Sequence, residues 1–167
     1  REVGLHLAGR DLDRIAIIAG LPHATHGADR LQGFLQGLRD GGRSPATAEI
    51  VYGDFTFEGG KRAMDQLISD RGGPPGAVFA ANDLMARGAM QTLREAGYDI
   101  PKDTALIGFD DIAVARMVTP SLTTVDQPKR ALGQRSAELL ISRMTMDTDA
   151  PARIEVLPCS LVLRASG

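Results

Sequence analysis

The run Ala77-Val-Phe-Ala-Ala81 passes without a turn into Asn82-Asp83-Leu-Met-Ala-Arg-Gly-Ala-Met90, a strand that becomes a helix across an amide and a carboxylate. Four or five consecutive apolar residues bounded in this way suit a strand buried on both faces, as strands of a parallel sheet are. The same pattern appears at Arg14-Ile-Ala-Ile-Ile-Ala19, Glu49-Ile-Val-Tyr52 and Thr104-Ala-Leu-Ile-Gly108. Between these runs the apolar spacing changes to that of a helix. Leu31, Phe34, Leu35 and Leu38 lie on one face of a helix over residues 28–39, and Ala63, Met64, Leu67 and Ile68 on one face over 58–69. Strands alternating with helices predict an α/β fold, with a parallel sheet flanked by helices on both faces and joined by right-handed crossovers.

After the fourth strand the pattern loosens. Residues 112–117 suit a short helix, 122–125 a β-branched strand, and 128–144 a helix with Pro128 in its first turn. Residues 147–151 read as a polar turn, and 154–157 with 160–163 as a strand pair or one broken strand. The opening Arg1-Glu-Val-Gly-Leu-His-Leu-Ala falls inside a helix that is already under way, so the chain reads as a piece of a longer protein.

The chain has 167 residues, 43% of them apolar, enough for one domain with a real core. A net charge of -2 gives no electrostatic footprint for nucleic acid. No run approaches the roughly 20 apolar residues of a membrane helix. The single Cys159 excludes an internal disulfide.

In a parallel sheet the carboxyl ends of the strands share one edge, where open α/β sheets bind their ligands. Each of the four strands delivers polar or aromatic groups there. The first is followed by His23 through Arg30, the second by Asp54 and Phe55, the third by Asn82 and Asp83, and the fourth by Phe109, Asp110 and Asp111. These types suit a neutral polyhydroxylated or heterocyclic small molecule. Arg30 supplies a fork of donors, Asn82 a donor and an acceptor, and Asp110 an acceptor for hydroxyls, while Phe55 offers a ring face. Each has a plainer role available: Asn82, Asp83, Asp110 and Asp111 as helix caps, and Arg30 as a solvated side chain. The arrangement on one edge, rather than any single residue, favours binding.

Other constellations are weaker. His23, His26 and Asp29 have a metal-like spacing but fall in a polar loop, so no metal site is assigned. The Asp110-Asp111 pair lacks the strand-end lysine that an acidic phosphoacceptor site would want. Gly20-Leu-Pro22 is not a phosphate-binding loop, and no base–nucleophile pair is evident. Neither a catalytic set nor a cofactor is expected.

Five blocks carry a resemblance: Arg14-Ile-Ala-Ile-Ile-Ala-Gly20, Arg30-Leu-Gln-Gly-Phe34, Ala77-Val-Phe-Ala-Ala-Asn-Asp-Leu-Met-Ala86, Leu106-Ile-Gly-Phe-Asp-Asp111 and Pro120-Ser-Leu-Thr-Thr-Val-Asp-Gln-Pro128. In order and spacing the chain resembles the effector-binding domain of lactose-repressor-type (LacI/GalR) transcriptional regulators. The resemblance implies a periplasmic-binding-protein-like fold of two lobes with the ligand between them, represented here by the C-terminal lobe plus a remnant of the N-terminal lobe. It places residues 1–119 and 152–167 in the C-terminal lobe and 120–151 in the otherwise missing one. That segment is then expected to pack loosely or to dock on a neighbouring molecule.

The positions matching the family's effector contacts are Arg30, Asn82 and Asp110, with Phe55 at the aromatic position. The helix after Asn82 and residues 116–118 match dimer contacts. The implied function is sensing of a sugar or related small-molecule effector in a cytoplasmic regulator. Such a regulator is a homodimer or higher oligomer, touches DNA only through a helix-turn-helix absent from this chain, and has no membrane partner. The alternative that shares the fold is an extracytoplasmic sugar-binding protein of a transport system.

Overall fold

The computed structural model describes residues 1–145 and 153–167. Helix α1 (Glu2–Ala8) is followed by β1 (Ile15–Ala19), α2 (Thr25–Asp40), β2 (Ala48–Tyr52), α3 (Phe57–Arg71), β3 (Ala77–Ala80) and α4 (Asp83–Glu95). Next come β4 (Ala105–Asp110), α5 (Val114–Met117), β5 (Thr123–Asp126), α6 (Lys129–Thr145) and β6 (Ser160–Val162). The strands form one sheet in the order β2-β1-β3-β4-β5-β6. Every pairing is parallel except β5 with β6. The expected α/β fold is what the chain adopts.

Alternation along the strands explains the two layers. Ala16, Ile18, Val78, Ala80 and Leu106 face the helices α3 and α4, while Ile15, Ile17, Ala77, Phe79 and Ile107 face α1 and α2. Both sets are buried because each strand is covered on both sides, so the sequence shows continuous apolar runs instead of alternation. At the opposite edge of the sheet from the candidate site, Arg14 makes a paired contact with Glu49 at 2.7 and 2.9 Å and fixes β1 against β2.

Two expectations are corrected. The strand assigned with 120–151 to the missing lobe is β5, bonded parallel to β4 with Ile107 opposite Thr123 and Asp110 opposite Asp126. Its hold is side-chain chemistry as well as the ladder: Thr123 N donates to Ser166 Oγ at 2.8 Å, and Thr124 Oγ1 to Asp83 at 2.6 Å. Leu122 through Val125 are buried, so this stretch belongs to the sheet and the chain leaves it only after Asp126. The second correction concerns residues 154–157, which form no strand. Ile154 and Val156 are 87% and 88% exposed, and only Ser160–Val162 pairs with β5.

Among the described residues of α6 none is buried, and Leu140, Ile141 and Met144 are exposed. The turn expected at 147–151 and the boundary at 151/152 lie outside the described residues.

Candidate functional site

The carboxyl ends of β1, β3, β4 and β5 meet along one edge, and the four residues singled out above form a connected chain there. Arg30 lies near the start of α2, within reach of β3 and β4 because α2 crosses over that edge. Its Nη1 donates to the Ala81 carbonyl at 2.5 Å and its Nη2 to Asp110 Oδ1 at 3.2 Å. The guanidinium stacks 3.9 Å from the centroid of the Phe109 ring, a cation–π contact. Burial pulls the Arg30 guanidinium below its usual range, opposed by the attraction of Asp110.

Asp110 sits at a non-glycine φ of 110°, followed by Asp111 at 45°. Such backbone is held only where its surroundings over-determine it. The two neighbouring carboxylates then take separate roles. Asp111 is turned inward and clamped by Arg116 at 2.8 Å and Arg164 at 2.7 Å. Asp110 stays at the edge, where its Oδ1 also accepts from Gln127 Nε2 and its backbone carbonyl accepts from Lys129 Nζ. Its Oδ2 has no hydrogen-bond partner among the described residues, leaving an acceptor for a ligand hydroxyl.

Asn82 takes the plainer of its two roles, that of a helix cap. Its Oδ1 accepts from Met85 N at 2.8 Å and caps α4, while its Nδ2 donates to the Phe55 carbonyl at 2.9 Å. One amide hydrogen is left over. Phe55 has a φ of 65° and lays its ring over the loop after β1, 4.8 Å from the His26 ring. Gly20 makes room for it, since a Cβ there would stand 1.9 Å from Phe55 Cζ. Asp54 closes the loop between β2 and α3 by accepting from Thr56 N at 2.9 Å, and Arg62 bonds its other oxygen at 2.7 Å. Hydrogen bonds to Thr56 hold the Asp54 carboxyl below the usual range.

Arg30 and Asp110 thus touch directly, Asn82 and Phe55 touch directly, and the Ala81 carbonyl joins the pairs. Beneath Arg30 a cavity of about 470 Å³ opens between α1, α2 and the sheet, floored by Phe79, Phe109 and Val125. It shares only Arg30 with the four residues, so the edge constellation rather than this cavity defines the candidate site. Sequence reasoning missed Gln127 and Lys129. The rule that found Asp110, polar groups past the end of a parallel strand, finds Gln127 as well once β5 is placed in the same sheet. Among the described residues no group of three or more potential metal ligands occurs, and none of the site residues forms a base–nucleophile pair.

The model of the periplasmic binding protein-like domain matches residues 5–167. The HTH-type transcriptional regulator CelR of Thermobifida fusca is 42% identical over 154 residues, which span 92% of this chain and 45% of that protein. The solved complex of the transcriptional regulator CelR with cellobiose superposes with a TM-score of 0.88 at 38% identity, covering 98% of this chain and 50% of that one. A LacI family transcriptional regulator from Enterococcus faecium with bound ribose superposes with a TM-score of 0.87 at 30% identity, covering 99% and 60%. The chain therefore spans about half the length of the curated relatives it matches.

Proposed function

The chain belongs to the periplasmic binding protein-like family, and from that membership we propose that it is the larger part of the effector-sensing module of a LacI-type transcriptional regulator, recognising a sugar or a similar polyhydroxylated ligand. The observation that carries this reading is the open oxygen of Asp110 beside Arg30 and Asn82, at the carboxyl edge of the parallel sheet. Neutral hydroxyls are the partners such a set recognises: the carboxylate accepts, the guanidinium and amide donate, and Phe109 and Phe55 bring apolar ring faces to the same edge. The related proteins with cellobiose and with ribose support the sugar class.

In this reading residues 1–126 with 160–167 make one lobe. Helix α6 crosses toward a second lobe, against which its exposed apolar residues pack. The exposed Leu84 on α4 and Met117, 79% exposed on α5, face a second subunit. Effector binding closes the lobes and shifts the relation between the subunits. That is a coupling of two sites through two global states. DNA is held by a helix-turn-helix outside these residues, the protein works in the cytoplasm, and it is not an enzyme. Among the described residues no helix is long and apolar enough to cross a membrane.

The test is a thermal-shift screen of the full-length protein against cellobiose, ribose and other sugars, repeated with Asp110→Ala. A ligand at a hundred times its dissociation constant adds roughly 2.7 kcal/mol to stability, a shift that should appear for at least one sugar and vanish in the variant. Absence of any shift across the panel, or an undiminished shift in Asp110→Ala, overturns the reading.

A further inference from the structure

We propose that Asp83 is a positioning residue of this site: its buried carboxylate ties the turn after Asp110 and strand β5 to the first turn of α4, and so sets Asp110 relative to Asn82. The proposal rests on the sensing reading, since Asp110 and Asn82 are the groups it places.

Asp83 is 0% exposed. One oxygen accepts from Thr124 Oγ1 on β5 at 2.6 Å, the other from Ile112 N at 2.9 Å, two residues beyond Asp110. Thr124 Oγ1 also lies 3.4 Å from the Asp111 amide, which donates to it. The bonds therefore converge on the stretch whose φ angles of 110° and 45° are unfavourable for ordinary residues. Gly108 clears the space, because a Cβ there would stand 2.3 Å from Asp83 Oδ1. The neighbour in sequence, Asn82, is both the cap of α4 and the donor to Phe55. One residue pair thus connects the loop after β2, the turn after β4 and strand β5 to the first turn of α4.

No salt bridge reaches Asp83 among the described residues. The nearby cations Arg116 and Arg164 are both engaged by Asp111, and Arg30 by Asp110. An acidic residue in the first turn of a helix gains from the helix dipole without any need for burial. Burial without a cation destabilises the ionised form, and it pushes the Asp83 carboxyl up to about 6, with the charges of Asp110 and Asp111 adding to the shift and the bonds from Thr124 and Ile112 opposing it. A buried carboxylate without a cation, bonded to the turn that shapes the site, is explained by what it holds.

The experiment titrates cellobiose into full-length wild type, Asp83→Asn and Thr124→Val between pH 5 and 8. Amide exchange of Ile112 and of β1 is followed at pH 7.5 without ligand. Asparagine keeps the size of the side chain but offers Ile112 a neutral acceptor and must donate to Thr124. Asp83→Asn should weaken cellobiose binding roughly tenfold at pH 7.5 and speed Ile112 exchange about tenfold, with β1 exchange no faster than in wild type. Wild-type affinity should fall toward that of the variant as pH drops through about 6. The variant should lack that part of the profile, and Thr124→Val should move its midpoint upward by removing a donor to the carboxylate. His26, stacked on Phe55 at the same edge, is present in all three proteins. Equal affinities and equal Ile112 exchange in wild type and Asp83→Asn overturn the proposal. If cellobiose binds none of the proteins, the sensing reading fails for that sugar, and the Ile112 exchange alone decides on Asp83: faster in the variant supports the tie, unchanged removes it.

Discussion

At the scale of single residues, Asp83 sets function against stability in a way that can be measured. Its carboxyl titrates near 6 when folded, above the 3.8 expected of an exposed aspartate. The folded state therefore holds the proton more tightly than the unfolded one, and stability contributed by the protonated acid is lost as pH rises from about 4 through about 6. A permanently neutral side chain escapes that loss. Asp83→Asn should thus be more stable than wild type at pH 7.5, by on the order of 2 kcal/mol, with the gap closing by pH 4. Thermal melts at the two pH values check this, and a variant less stable at both would show that the bonds to Thr124 and Ile112 outweigh the desolvation. Sequence alone had Asp83 only as a helix cap or an edge residue. What it lacked was β5 in the sheet, because Thr124 is the partner that distinguishes a buried tie from an exposed acid. Arg30 and Asp110 were legible for the opposite reason: strand ends and helix starts fix where they emerge without knowledge of long-range partners.

At the scale of elements, glycine lets the two helices of each layer approach closely. On one face a Cβ at Gly88 would stand 2.1 Å from the Phe57 carbonyl, and one at Gly60 2.2 Å from the Met85 carbonyl. On the other face Gly4 and Gly37 allow the same approach of α1 to α2, with a Cβ meeting backbone oxygens at 2.2 and 2.1 Å. Backbone oxygens cannot rotate out of the way as side chains do, so the helices must separate. Gly88→Ala gains helix propensity but loses this packing, for a net destabilisation of about 1–2 kcal/mol. Urea unfolding with an unchanged slope should report it, and a change below half that size would mean that α3 and α4 slide without strain. The existence and order of these elements could be read from sequence because buried runs and helical spacing are local properties. The strand expected at 154–157 was misread for a related reason. Ile154 and Val156 look apolar enough to pair, yet both are exposed, and local pattern cannot say whether a partner strand is within reach.

At the scale of the whole molecule, α6 is the element whose sequence and surroundings disagree. It is 17 residues long with no buried residue, and its ties to the rest include Arg135, which bonds Glu155 at 2.7 and 2.9 Å, and Lys129, which bonds the Asp110 carbonyl. A helix without tertiary packing holds weakly in water, because most helical stability in proteins comes from packing an apolar face. Leu132, Leu140, Ile141 and Met144 are exposed on it, while the relatives are about twice as long as this chain. If the remaining length supplies the covering lobe, amides of α6 should exchange roughly a hundredfold faster in the 167-residue chain than in the full-length protein, while those of α4 are equally protected in both. The same deficit acts on binding. A site with one wall keeps the contacts of Asp110 and Arg30 but not the closure that excludes water, so calorimetry should find a sugar bound at least tenfold more weakly by the chain alone. Equal α6 exchange and equal affinity in the two proteins would place the whole of the sensing site within these residues, and α6 would then need another explanation for its exposed apolar residues.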